Sequence, residues 1–291
     1  ARAEVDITAL SRAIVHAADL GARVITVSTV TCLPADRNVD QTGLGAALRY
    51  AAVEKDAVVV AAAGNNGQTG SVGGGGSCES NPLTDLSRPQ DPRNWAGVTS
   101  ISVPSWWQRY VLSVASLTSG GQPSSFTMAG PWVGVAAPGE DIASVSNRDD
   151  GGLANGLPGN RGKLVALSGT SYAAGYLAGV AALVRSRYPE LTATQVVHRI
   201  TATAHNAARA PSDVVGAGTV DPVAALTWEL PSTADPTAAP VKQLAAPQQP
   251  QPQDPAPRTV AFAGTALLAV LVAAVAANAA ITARRRKGTH P

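Results

Sequence analysis

The chain has 291 residues, 45% hydrophobic and 14% charged, enough to bury one large α/β core rather than two small ones. Lysine and arginine number 22 against 20 acidic residues, and the terminal run Arg284-Arg285-Arg286-Lys287 more than accounts for that excess. No basic field is left to hold nucleic acid, so that function class is set aside.

The first residue is Ala1 rather than Met, and no signal peptide precedes the first helical pattern. Processing or truncation is expected to have removed an amino-terminal part. The chain opens on "ITALSRAIVHAADLGA", whose Leu10, Ala13, Ile14 and Ala17 recur at helical spacing up to a stop at Gly21. "RVITVSTV" follows as a β-branched strand, "GLGAALRYAAVEKD" as a second helix, and "AVVVAAAGN" as a strand so continuously apolar that both its faces must be covered. This alternation predicts right-handed crossovers and a parallel sheet flanked by helices. Ligands of such sheets sit beyond the carboxyl ends of the strands, where Ser28 and Asn65 fall.

From Gln68 to Trp107 the pattern breaks into a polar insertion with the run "GGGG". No Gly-Lys-Ser/Thr follows and no helix opens there, so the run reads as a surface loop rather than a phosphate cradle. Trp95, Trp106 and Trp107 close the insertion, either as core packing or as a partner surface.

Further on, "GTSYAAGYLAGVAALV" places Ala174, Leu177, Ala178, Ala181 and Ala182 on a buried helix face, with Ser171 in the first turn. Free N–H groups and the positive end of the helix dipole would face whatever this serine attacks, although a serine there also serves as an ordinary N-cap. Asn65 is either a turn residue beside Gly64 or an amide donor aimed at the same cleft.

Past Leu230 the stretch 231–258 is rich in proline, glutamine and alanine and cannot build a core, so it reads as a linker. Residues 259–283 carry no charge over a length that exceeds the roughly 20 residues a bilayer requires, which predicts a transmembrane helix. The basic tail 284–291 then stays cytoplasmic and residues 1–258 lie outside the cytoplasm. In an oxidising compartment Cys32 and Cys78 form either a disulfide or two separate buried thiols.

Together, Gly169 to Ala173 (Gly-Thr-Ser-x-Ala) and Ala62 to Asn65 (Ala-Ala-Gly-Asn) resemble the motifs of the subtilisin-like serine proteases. "VLSVASLTSGGQPSSFTMAGPWVGVAAPGEDI" and "GAGTVDPVAAL" are similar to that family's strand, Ala-Pro-Gly segment and closing stretch. The cysteine-bearing insertion with "NPL" and "DPRNW", the Pro-rich linker, the span and the basic tail resemble the mycosins, membrane-anchored subtilases of type VII secretion systems. The resemblance implies a subtilisin-like α/β fold over residues 1–230 and an extracytoplasmic endopeptidase that needs no cofactor or metal. Its nucleophile would be Ser171 and its oxyanion donor Asn65. Edge strands near Ser28 and Ala63-Gly64 would pair with an extended peptide substrate. The resemblance also implies a secretion membrane complex as partner.

The family's Asp and His motifs precede its Asn, and this chain has neither. His16, His198, His205 and His290 match no catalytic position. Loss of the histidine costs such enzymes on the order of 10⁶ in turnover. The chain is therefore expected to be inert by itself, as the carboxyl-terminal part of a longer protease, with a structural role in the secretion complex as the alternative. Gly175 and Thr26 also depart from the family's usual Pro and Asn.

Overall fold

The computed structural model describes residues 2–67, 78–83, 87–88, 90–146, 151–158, 163–208, 210–230, 268–271 and 274–275. Its centre is a four-stranded, wholly parallel sheet in the order β1-β3-β5-β6, formed by β1 (Val24–Val27), β3 (Val58–Ala62), β5 (Val111–Leu117) and β6 (Val133–Pro138). Every residue of β3 and β5 is buried, as the continuous apolar run of the third strand requires. An antiparallel ribbon of β2 (Thr31–Pro34) and β4 (Ser100–Val103) stands beside it.

Helix α1 (Arg2–Asp19) buries Ile7, Ile14 and Ala18, and ends where Gly21 takes a φ of 82°. Helix α2 (Thr42–Arg49) runs into a π-helical turn, Tyr50–Glu54, before the chain enters β3. Both pack with one face of the sheet in a cluster that includes Leu44, Leu48, Val59 and Ala61. The other face receives α3 (Thr170–Arg187), α4 (Ala193–Ala202) and α5 (Pro222–Thr227), with Leu177, Val184, Val196 and Ile200 against Val58, Val60 and Val114. Each boundary has a local cause. α3 stops before Pro189, Thr192 and Gln195 form a capping box at α4, and Asp221 caps α5 with Pro222 in its first turn.

Two short ribbons precede α3: β7 (Ser144–Val145) with β8 (Leu153–Ala154), and β9 (Gly156–Pro158) with β10 (Leu164–Ala166). The tryptophans of the insertion resolve as packing. Trp95 lies 6.2 Å from Trp132, and the indole N–H groups of Trp106 and Trp107 both donate to Gln41 Oε1, at 2.9 and 3.0 Å. The glycine run at 73–76 falls outside the described residues. So does most of the segment 259–283. Among the described residues no helix is long and apolar enough to cross a membrane.

Candidate active site

The site lies at the carboxyl end of the parallel sheet, where β3 runs into Gly64-Asn65 and where α3 begins. Gly169, not Ser171, occupies the N-cap position of α3, and no side chain caps that end. The cap reading of the serine therefore fails, and its hydroxyl makes no hydrogen bond among the described residues. Gly169 has a φ of 155°, and its amide donates to Gly139 O at 2.8 Å. A Cβ at Gly169 would come within 3.2 Å of Ser171 Oγ and 3.3 Å of Asn65 Nδ2. The hydroxyl and the amide nitrogen thus border one small volume that only a glycine leaves open.

Thr170 decides which way the Asn65 amide points. The Asn65 Oδ1 accepts from the Thr170 backbone N–H at 3.0 Å and from its hydroxyl at 2.8 Å, so Nδ2 is left as the donor facing Gly169. The same hydroxyl accepts the Gly64 N–H at 3.2 Å, within a fully buried link between β3 and α3. Asn65 is held along its backbone as well. Its carbonyl accepts from Cys78 N–H at 2.9 Å, and its neighbours bond to Phe126 and Met128. Cys78 is disulfide-bonded to Cys32, with Cα atoms 5.4 Å apart, so the paired-cysteine alternative is the one realised. Thr170, buried and uncharged, was not singled out by sequence. A threonine between the motif glycine and serine signals nothing until the asparagine is folded against it.

An acyl-transfer site needs a nucleophile, a donor for the developing oxyanion and a base. Ser171 and Asn65 are candidates for the first two and lie together here. In the first turn of α3 the Ser171 N–H has no backbone partner, so with Asn65 Nδ2 it supplies a second donor from the same end of the helix dipole. No described histidine bonds to Ser171. His16 is on α1, His198 is on α4, and His205 pairs with Thr219 and lies 3.5 Å from Asp221. His290 is outside the described residues. No cluster of three or more possible metal ligands occurs among the described residues.

The expected pairing edge differs in part. Ser28 is exposed just past β1, but Ala63 is fully buried with its N–H bonded to Val114 O, and Gly64 has both its N–H and its carbonyl engaged. Gly64 therefore offers no free edge for a peptide, because its backbone groups are spent in joining β3 to its neighbours. Thr26 and Gly175 are both exposed, and a Cβ at Gly175 would meet nothing within 4 Å.

A parallel sheet with a serine at the head of its central helix and an asparagine at a strand end defines the class of subtilisin-like hydrolases. The subtilase family model matches residues 2–218, and the chain belongs to that family, in its mycosin branch. It is 70% identical over 290 residues to Mycosin-3 of Mycobacterium tuberculosis, covering 100% of this chain and 62% of that protein. The structure of the MycP3 protease from the type VII (ESX-3) secretion system superposes with a TM-score of 0.71 at 68% identity, over 78% of this chain and 60% of that one. A chain in the periplasmic assembly of the ESX-5 inner membrane complex matches at 48% identity and TM-score 0.71, over 85% of this chain and 58% of that one. The chain thus spans less than two thirds of the length of these relatives.

Proposed function

We propose that this chain is the serine-bearing part of an extracytoplasmic serine endopeptidase of a type VII secretion complex. Its Asp and His would come from sequence of the longer protein outside these 291 residues. Ser171 Oγ would attack the peptide carbonyl carbon while the histidine takes its proton. Asn65 Nδ2 and the Ser171 N–H would hold the oxyanion until the carbon–nitrogen bond breaks, and water would then release the acyl group. The observation that carries this reading is the convergence of Ser171 Oγ and Asn65 Nδ2 on the space where a Gly169 side chain would begin, with the amide orientation fixed by Thr170.

Two unpartnered surfaces favour a missing complement. Among the described strands β1 pairs only with β3, leaving its outer edge bare. On α3, Tyr176 and Leu183 are 45% and 53% exposed, beside Gly175 and Gly179 where an added Cβ would meet nothing. A central helix of a sheet protein normally hides such a stripe. The linker at 231–258, the span at 259–283 and the cytoplasmic tail at 284–291 follow from composition and would tether the domain to the membrane. A fluorophosphonate probe tests the proposal. It should label Ser171 in the whole protein but not in these 291 residues alone, and labelling of neither would sink the enzymatic reading. The second reading, a non-catalytic part of the complex, is favoured by the similarity to a chain in a periplasmic assembly. Secretion that survives Ser171→Ala yet fails when the whole domain is removed would support it.

A further inference from the structure

The opposite end of the sheet holds a cavity of about 520 Å³, within the range of small-molecule sites. Its floor is the start of two central strands, Val58, Val59, Val111 and Leu112, and its walls are the π-helical turn at Val53 and the outer face of α4 at Val197. Asn65 lies six residues beyond Val59, about 20 Å of extended chain, so the cavity is no part of the cleft at Ser171.

The lining is apolar below and cationic or hydrogen-bonding above. Arg49, Arg109, His198 and Tyr110 reach it, and among the described residues no carboxylate lines it. Arg49 already holds Glu54 at 2.6 Å, whereas Arg109 has no acidic partner among the described residues and lies 5.8 Å from the Tyr110 ring centroid. Val53, on the wall, is 59% exposed, a large apolar side chain left in water at the rim. A peptide backbone fits poorly. β3 and β5 are each paired on both sides, so no strand edge is free here to receive its amides. An alkyl chain asks only for apolar surface, and a carboxylate at its end asks for the guanidinium.

We infer that this cavity binds a single-chain acyl carboxylate of medium length, with its tail on the strand-start floor and its carboxylate at Arg109. The site stands apart from the proposed chemistry at Ser171 and survives if that reading fails. The test is photolabelling of the whole protein in membranes with a diazirine analogue of octanoic acid, with crosslinks mapped by mass spectrometry. Label is expected within 49–59 or 193–201, competed about ten-fold better by octanoate than by 1-octanol. Arg109→Gln should cut it about five- to ten-fold, with unchanged thermal unfolding and rescue by Arg109→Lys. Thr194→Trp, which fills the mouth from an exposed helix position, should abolish it. Absence of label in both segments, equal competition by 1-octanol, or label indifferent to either substitution overturns the proposal. Label confined to the apolar carboxyl-terminal segment also overturns it, since that reports partition into lipid.

Discussion

The two ends of the central sheet are tied together by different chemistry. At the carboxyl end the link between β3 and α3 is neutral. Thr170, Asn65 and Gly64 share hydrogen bonds of 2.8 to 3.2 Å, and no charged side chain takes part. At the amino end the link is ionic. Asp56, at a φ of 52°, accepts from Arg185 at 2.9 Å, from Arg23 at 2.8 Å and from the first amide of α4. The contrast separates holding from reacting. A fixed carboxylate beside Ser171 would repel a developing oxyanion, whereas at the far end the same charge can staple three elements without touching the chemistry.

The sharpest break in that contrast is Ser171→Ala in the whole protein, which should lower turnover by about 10⁶ and leave thermal unfolding unchanged. Asn65→Ala comes next, with kcat down about 10²–10³ and KM little altered, as read from steady-state kinetics on a peptide ester. A larger change in KM than in kcat would remove Asn65 from the oxyanion role. At the other end Asp56→Ala leaves the guanidinium of Arg185, whose side chain is only 7% exposed, with carbonyl partners and no counter-charge, and should cost about 2 kcal/mol in urea unfolding. Fluorophosphonate labelling of the folded whole protein should stay intact in that variant. Thr170→Val keeps the shape and the backbone N–H bond to Asn65 Oδ1 but removes the hydroxyl that bonds Asn65 and Gly64, so the amide is held by one donor instead of two, with an expected loss of about ten-fold in kcat.

The smallest effect is in pH. Burial of Asp56 opposes its ionisation, but the hydrogen bonds from Arg185 and the Ala193 N–H, with the charges of Arg185 and Arg23, outweigh it. They hold the carboxyl below its ordinary 3.8. A lowered folded-state value means that the stabilisation is complete above about pH 3.8 and is lost as the pH falls through the lower folded value. Acid unfolding of the Asp56→Asn variant should therefore show a shallower slope below pH 4 than the parent. An identical slope would mean that the ionic end is held by packing alone.

The parallel sheet was legible because apolar runs and helical stripes alternate in sequence, and Val58–Ala62 is too uniformly apolar for anything but a central strand. Ser171 and Asn65 were legible because their glycine neighbours mark a strand end and a helix start. The function of Thr170 was not, since its partners lie 105 and 106 residues away in sequence. Nor was the Asp56 hub, since Lys55-Asp56 reads in sequence as the end of the second helix. The backbone of Gly64 was hidden for the same reason: a strand end looks free in sequence until Met128 and Thr170 are folded against it.

The bond from the Cys78 amide to the Asn65 carbonyl carries a consequence of timing. While Cys32 and Cys78 are still thiols, as in a reducing cytosol, nothing covalent holds Cys78 beside the strand end, and one support of Asn65 is slack. In the exported enzyme proposed above, oxidation outside the cytosol would draw that support taut, so that ordering of the Asn65 amide would follow the crossing of the membrane.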